Sequence, residues 1–115
     1  MRRLEVPTGF VALIDEVVAG MGCLVAHDME TRPELTPWLA TVLVAPQYRG
    51  RGIGSALSQR VVAEGRALAF QRMYLVTFDK ASFYARLGWH NLEQTEYLGL
   101  PATIMVHNGI AFPSR

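Results

Sequence analysis

Residues Val44 to Leu57 read VAPQYRGRGIGSAL and join an apolar run, Trp38 to Val44, to an amphipathic segment from about Ser55 to Phe70. The run predicts a buried strand, and the segment predicts a helix. A glycine-rich loop between a strand and a helix presents several backbone N–H groups, and the positive end of the helix dipole, to one point in space. Glycine suits such a loop because it adopts positive φ and lets a phosphate approach the amides. The stretch therefore predicts an anion-binding site.

Three phosphate-binding motifs compete for this loop, and their spacing separates them. A P-loop requires Gly-Lys-Ser/Thr, which the loop lacks. The dinucleotide motif G-x-G-x-x-G begins at Gly50, but its third glycine falls on Ser55, and no acidic residue stands at 72–76, where the motif expects one. The third pattern, Q/R-x-x-G-x-G/A, fits the loop with Gln47, Gly50 and Gly52.

A second motif lies downstream, where residues Phe83 to Trp89 read FYARLGW. The two motifs, in this order, resemble those of the GNAT superfamily of N-acetyltransferases, and the resemblance covers about Phe10 to His107. It implies an α/β fold in which a mixed sheet flanked by helices is splayed open between strands 38–44 and 73–77, with acetyl-CoA in the opening. Members of the family begin with a strand and helices before the first hairpin, whereas here only residues 1–9 precede it, so we expect an N-terminally abbreviated form.

Periodicity and turn residues predict the remaining elements. A hairpin is expected from runs 10–14 and 17–27, followed by a polar loop over 28–37. Asp79 is expected to cap a short helix that contains Phe83 and Leu87 and ends at Gly88. Two final strands are expected near 92–98 and 103–107. We interpret residues 1–115 as a single domain, because the chain is too short to divide comfortably into two hydrophobic cores.

The resemblance also implies where the cofactor binds. The pantetheine arm is expected to pair with the backbone of the strand before the loop, and the pyrophosphate with loop amides. The cofactor-binding residues so expected are Val42, Leu43, Val44, Gln47, Arg49, Gly50, Arg51, Gly52, Ile53, Gly54 and Ser55.

Acetyl transfer from a thioester to an amine requires a neutral amine, a stabilised oxyanion and a proton for the departing thiolate. In similar enzymes a backbone N–H of the central strand, here Leu43 or Val44, meets the oxyanion, and the motif tyrosine, here Tyr84, protonates the thiolate. A phenol suits this role because its pKa near 10 keeps it protonated at neutral pH. The alternative is a Tyr84 that only packs against the core.

The general base is left open by the sequence. Some relatives carry a glutamate on the central strand, but Trp38 to Val44 holds no carboxylate. His27, Asp28 and Glu30 follow the second strand, where an amine could approach, and are the candidates. Acidic residues that could receive a cationic amine are Asp28, Glu30, Glu34, Glu93 and Glu96.

Composition excludes several other classes. Eleven basic and ten acidic residues are scattered along the chain and give a net charge of +1, which offers no case for nucleic acid or an anionic membrane as partner. No apolar stretch is long enough to span a bilayer. The single Cys23 is interpreted as apolar filler, and the dispersed histidines suggest no metal site. We expect a soluble cytoplasmic protein.

These features are compatible with two functions. The first is transfer of an acetyl group from acetyl-CoA to a primary amine of a small molecule or peptide. The second is a non-catalytic acyl-CoA-binding or interaction module that retains the cofactor loop. The short N-terminal part also predicts a homodimer, because an uncovered sheet edge and apolar wall invite pairing.

Overall fold

The computed structural model describes residues 8–108, which form one six-stranded mixed sheet in the order β1-β2-β3-β4-β6-β5. Within the same range, two α-helices and a short 3-10 turn accompany the sheet. The elements are β1 (Thr8–Ile14), β2 (Val17–Val25), β3 (Trp38–Val44), the 3-10 turn (Pro46–Tyr48), α1 (Ile53–Ala67), β4 (Arg72–Thr77), α2 (Ala81–Ala85), β5 (His90–Tyr97) and β6 (Leu100–Asn108). The α/β class with a mixed, helix-flanked sheet is confirmed.

Two tight hairpins lie at the two ends of the sheet. β1 and β2 are joined by Asp15 and Glu16, which have φ of 50° and 67°. β5 and β6 are joined by Leu98 and Gly99, with φ of 55° and 82°. Positive φ at both central residues matches the right-handed twist of the flanking strands. The expected first hairpin is confirmed, and the last two strands begin or end a few residues beyond their expected bounds.

The sheet is splayed between its two central strands. β3 and β4 run parallel, and within residues 8–108 their register consists of one pair, Trp38 with Tyr74. Next to this pair the Tyr74 N–H donates to the Pro37 carbonyl at 3.0 Å. Beyond it the two strands are no longer paired, which confirms the opening that the family resemblance implies.

A β-bulge bends β3 beside this opening. Met21 is paired with Leu43 and Cys23 with Ala40, so two residues of β3, Thr41 and Val42, lie opposite one residue of β2. Thr41 has a φ of 58°, a left-handed conformation that a β-branched residue rarely adopts. Bulges re-aim the backbone of the strand that carries them, so Val42 to Val44 continue at an altered angle toward the loop.

Helix α1 packs across β1, β2 and β3 on one face of the sheet. Leu57 and Val61 are buried there, as expected for an amphipathic helix, whereas Arg60 is exposed. A Cβ at Gly20 in β2 would lie 2.7 Å from the carbonyl oxygen of Leu43 in β3, so the absence of a side chain at Gly20 permits the close contact between these two strands. The helix begins at Ile53, two residues before its expected start, and ends before Phe70, because Ala69 turns into the left-handed region with a φ of 70°.

The opposite face of the sheet carries a second apolar cluster under the 26–37 loop. Met29, Trp38, Tyr74 and Ile104 are its buried members. The Trp38 indole N–H donates to the Leu35 carbonyl at 2.7 Å, which fixes the loop against the start of β3.

The short helix α2 follows β4 and differs from the expectation in its cap. Lys80 occupies the N-cap position, and its N–H is accepted by the Thr77 hydroxyl at 3.0 Å. The expected Asp79 cap is therefore wrong, because the chain reaches the helix one residue later and a threonine already satisfies the first amide. The helix ends at Ala85, with Arg86 as its C-cap, so Leu87 lies outside it, contrary to expectation, and Gly88, with a φ of 100°, comes three residues after the last helical residue.

No helix within residues 8–108 is long and apolar enough to cross a membrane. Over the same range, no three His, Cys, Asp or Glu side chains gather as metal ligands would.

Candidate active site

A cleft of about 880 Å³ lies where β3 diverges from β4. It is bounded by the end of β3, the glycine-rich loop, the first turn of α1 and the β4–α2 segment. Its lining residues are Val42, Leu43, Val44, Tyr48, Arg49, Gly50, Gly52, Ile53, Gly54, Ser55, Asp79, Lys80, Ser82, Phe83, Tyr84 and Arg86.

Residues of the glycine-rich loop and of the first turn of α1 line this cleft. Gly50 and Gly52 both have a φ of 80°, and Gly52 is the N-cap of α1. The first turn has neither a side-chain cap nor an acidic residue. Ala56 donates to the Gly52 carbonyl at 3.0 Å, so the three preceding amides, 53–55, have no partner inside the helix. Free amides at the positive end of a helix dipole favour an anion such as a phosphate.

The charges on the cleft wall also favour an anion. Arg49, Lys80 and Arg86 line the cleft together with a single carboxylate, Asp79. The Arg49 Nε donates to the Val44 carbonyl at 3.1 Å, which holds this guanidinium next to the loop. Three cations against one anion give the cleft a positive balance although the whole chain is nearly neutral.

Tyr84 enters the cleft from α2 and is held by other aromatic rings. Its ring lies 5.0 Å from that of Phe83 and 6.2 Å from that of Trp89, both in edge arrangements. Burial raises the pKa of the Tyr84 phenol, while a hydrogen bond with Ser58 acts in the opposite direction. The phenol is therefore a proton donor at neutral pH, next to the cleft that the loop amides also face.

Most of the predicted cofactor-binding residues meet in this cleft. Nine of the eleven line it, together with Tyr84. Gln47 and Arg51 do not: Gln47 lies within the exposed 3-10 turn, and the Arg51 guanidinium lies 5.4 Å from the centre of the Tyr48 ring. Arg51 therefore contacts Tyr48, a residue of the cleft lining, and does not line the cleft itself.

The candidate bases lie away from the cleft lining. His27 and Glu30 are exposed, and Asp28 is half-buried, with a carboxyl whose pKa is raised by burial. The Asp28 carbonyl accepts a hydrogen bond from the Tyr97 hydroxyl at 3.2 Å. Among the acids considered for amine binding, Glu93 instead accepts the Arg32 Nε at 3.1 Å in an ion pair.

The sequence reasoning missed several cleft residues on the β4–α2 side, above all Lys80 and Arg86. Arg86 stands two positions after Tyr84 in the same motif, and this spacing was the available signal. The position of Lys80 at the cleft depends on the turn in which the Thr77 hydroxyl accepts the Lys80 N–H, and the sequence pattern did not predict this turn.

Comparisons with known proteins agree with this architecture. The model of the Acetyltransferase (GNAT) family matches residues 2–89. The chain is 40% identical over 75 residues to N-alpha-acetyltransferase 80 of Mus musculus, covering 65% of this chain and 20% of that protein. It is 39% identical over 57 residues to the amino-acid acetyltransferase of Mycobacterium tuberculosis (strain ATCC 25618 / H37Rv), covering 50% of this chain and 32% of that protein.

A solved structure of aminoglycoside 6'-N-acetyltransferase complexed with coenzyme A superposes with a TM-score of 0.73 at 17% identity, covering 92% of this chain and 74% of the other. This likeness concerns the fold. The chain spans between one fifth and one third of the length of the two curated relatives named above.

Proposed function

Because the chain belongs to the GNAT acetyltransferase family, we propose that it transfers an acetyl group from acetyl-CoA to a primary amine. The observation that carries the proposal is that free loop amides, the bulged end of β3 and the Tyr84 phenol face one positively charged cleft. A turn that only joined a strand to a helix would not require all three.

Acetyl-CoA fits the cleft in a definite orientation. The pyrophosphate binds the amides of the loop and the first turn of α1, where Arg49 and Arg86 supply positive charge. The pantetheine arm lies along Val42 to Val44, whose backbone has no β4 partner because the sheet is splayed. This places the thioester near Tyr84.

The reaction follows by direct attack. A neutral amine adds to the thioester carbonyl, and the oxyanion of the tetrahedral intermediate accepts a hydrogen bond from the backbone N–H of Leu43 or Val44. Collapse of the intermediate breaks the C–S bond, and the Tyr84 O–H donates its proton to the departing thiolate. The attacking nitrogen releases one proton to solvent, which leaves a neutral amide, and solvent returns one proton to the Tyr84 phenolate. Tyr84 is thus the proposed general acid.

We propose an α-amino group as the acceptor class, either of an amino acid or at the N-terminus of a peptide. The support lies in the names of the two curated relatives, an N-alpha-acetyltransferase and an amino-acid acetyltransferase. Amino acids and short peptides are therefore the first acceptors to assay, before aminoglycosides and polyamines.

The proposed assembly is a homodimer through the sheet face opposite α1. Val11, Leu13, Val18, Met21 and Leu43 are all exposed, and the pairings of Val11 and Leu43 with Met21, and of Leu13 with Val18, place them on one face. No residue of β1, β2 or β3 is charged, so a second copy can oppose this face without burying a charge. The outer edge strand β1 also lacks the charges that commonly prevent strand pairing.

The test of function combines calorimetric titration with acetyl-CoA and a thiol-release assay over amino acids, peptides and other amines. Saturable binding with thiol release that depends on the acceptor supports the transferase. Binding without release for any acceptor would leave only an acyl-CoA-binding module. Absence of binding would overturn the assignment of the loop.

A further inference from the structure

A second cavity lies beside α1, apart from the cofactor cleft. It has a volume of about 260 Å³ and is bounded by α1, the segment that follows α2 and the end of β6. None of its lining residues within 8–108 also lines the cleft, so the two spaces are distinct. The volume is roughly eight times the share of one water molecule in the liquid, which is enough for a small organic molecule.

Part of the cavity wall is apolar and buried. Val62 of α1 is 7% exposed and Trp89, just before β5, is 2% exposed, while Leu87 is half-buried. A hydrocarbon chain placed against these three side chains would be removed from water, which is favourable. The cavity therefore has a preference for a ligand with an apolar chain.

The rest of the wall carries polar groups with a positive balance. Gln59 and Arg66 are exposed residues two turns apart on the same side of α1, and His107 comes from β6. Ser58 also lines the cavity, and its Oγ donates to the Gly54 carbonyl at 2.8 Å. No acidic residue lines the cavity within the described range. A cation and an imidazole without an opposing acid favour an anion.

His107 is held by packing contacts. Its ring lies 5.2 Å from the ring of Trp89 in an edge arrangement. A Cβ at Gly88 would lie 3.1 Å from the His107 Nε2, so the glycine leaves room for the imidazole against the turn. Its Nδ1 is buried and has no hydrogen-bond partner of normal geometry within residues 8–108. The imidazole therefore lies at the cavity without a carboxylate to balance its charge when it is protonated.

We propose that this cavity is a binding site for a short-chain carboxylate. The carboxylate group lies at Arg66 and His107, and the hydrocarbon chain lies against Val62, Leu87 and Trp89. A guanidinium matches a carboxylate because it can donate two parallel hydrogen bonds to it. An inorganic anion would leave the apolar wall without a partner. The inference goes beyond the proposed acetyl transfer and does not depend on it.

Protonation of His107 should control the affinity of this site. Burial, followed by the charge of Arg66, lowers the pKa of the imidazole, and His90 of β5 acts in the same direction. Two adjacent backbone groups act toward a higher pKa, and β4 presents Met73, which does not titrate, at the paired position. The imidazole of the unbound protein is therefore neutral at neutral pH.

A bound carboxylate raises the pKa of the neighbouring imidazole, so that binding takes up a proton. The affinity for the carboxylate should therefore increase as pH falls, by roughly fivefold between about pH 8 and pH 5.5. Over this range the carboxylate itself stays ionised, because its own pKa is below about 5.

An NMR titration with 3-methylbutanoate tests the site, because it reports position as well as affinity. The resonances of the Trp89 indole and the His107 imidazole should shift together with a Kd on the order of 1 mM. The amides of Gly50 and Gly52, in the cofactor loop, should not follow that curve. The uncharged 3-methylbutanamide has the same shape, and inorganic phosphate has charge but no chain. Both should shift the two ring resonances at least about tenfold more weakly.

Two pairs of variants on α1 separate the cavity from its surroundings. Ala63→Leu places a larger side chain in the cavity wall and keeps every charge, so it should abolish binding. Ala67→Leu, on the same helix but outside the lining, should bind like the wild type. Arg66→Gln should weaken binding by about tenfold and, without ligand, raise the pKa of His107. Arg60→Gln removes a charge from the same helix outside the cavity and should do neither.

Each contrary outcome overturns the proposal. Binding that survives Ala63→Leu would place the carboxylate elsewhere, and ring resonances that do not move at about 20 mM ligand would exclude the site. Equal affinity for the amide or for phosphate would contradict the ligand class. If the expected shifts are found but no acceptor is acetylated, the carboxylate site stands and the proposed function fails.

Discussion

The ring of Trp38 lies 5.9 Å from the ring of Tyr74, at the register pair that joins β3 to β4 within residues 8–108. Both side chains are buried, at 0% and 9% exposure, in the cluster beneath the 26–37 loop. This contact closes one end of the splay, so that the strands can separate at the other end without dividing the sheet. The separation of β3 from β4 that forms the cleft therefore depends on a packed pair that is not part of the cleft lining.

Replacing Trp38 by alanine should destabilise the protein by about 3–5 kcal/mol, the usual cost of truncating a fully buried aromatic residue. The hydrogen bond from its indole to Leu35 is lost as well. Chemical denaturation measures the change. Leu98→Ala is the control, because Leu98 is 76% exposed and should shift stability by less than about 0.5 kcal/mol. A loss below about 1 kcal/mol for Trp38→Ala would contradict the role given to this pair.

Gly52→Ala and Gly99→Ala form a matched pair for the anion site. Both glycines have positive φ, 80° and 82°, and a Cβ at either would meet no atom within 4 Å. Each substitution should therefore cost a similar stability, about 1 kcal/mol. Only Gly52 lines the cleft and immediately precedes the amides of the first turn of α1, so only this variant should weaken acetyl-CoA binding, by at least tenfold in calorimetric titration. Equal affinities of the two variants for acetyl-CoA would contradict the assignment of the pyrophosphate site to this loop.

The sequence predicted the order of the elements and the loop, because both depend on local patterns. Few residues other than glycine readily adopt a positive φ, and Gly50 and Gly52 both have one in the loop before the helix. The amphipathic stripe of α1 likewise specifies which face is buried. The splay was predicted from the family resemblance alone, since it follows from the tertiary pairing of Trp38 with Tyr74.

The features that sequence reasoning missed depend on contacts between distant segments or on competition between adjacent polar groups. Asp79 and Thr77 are both capable caps, and only the path of the chain after β4 decides that the Thr77 hydroxyl accepts the Lys80 amide. The bulge at Thr41 was not predicted, because the bulged position holds neither glycine nor asparagine, the residues that most readily adopt a positive φ. Glu93 was considered for amine binding, but its ion pair with Arg32 joins residues 61 positions apart.

The pH dependence of turnover should carry the signature of Tyr84. The proposed acid is active only when protonated, so the rate falls as pH rises through its pKa. Burial raises this pKa above the ordinary value of 10.0, and the alkaline limb should therefore lie above that pH. In Tyr84→Phe the turnover number should fall by about 10²-fold or more, and the limb should disappear. If the alkaline limb persists in Tyr84→Phe, the titration of a group other than Tyr84 causes it.

Asp28 should make stability depend on pH. Its carboxyl has a pKa raised by burial above the ordinary 3.8, so the folded protein favours the protonated form. That stabilisation is fully present below the unfolded pKa and is lost as pH rises through the folded value. Asp28→Asn, which stays neutral, should thus be more stable than the wild type at pH 7 and equal to it in strong acid. Glu30→Gln, at an exposed neighbouring site, should show no such difference in thermal unfolding at either pH.

Leu13→Lys tests the proposed dimer. Leu13 is 59% exposed on the edge strand β1, within the face that carries no charge on β1, β2 or β3. A lysine there would place two like charges near each other across a twofold interface, and each would lose water on association, so sedimentation at micromolar concentration should show the wild type as a dimer and the variant as a monomer. Leu98→Lys, which places the same charge on the distant β5–β6 turn, should sediment like the wild type. A wild-type protein that stays monomeric at high micromolar concentration would leave this face without the proposed partner, because an apolar surface that stabilised a dimer would have paired under those conditions.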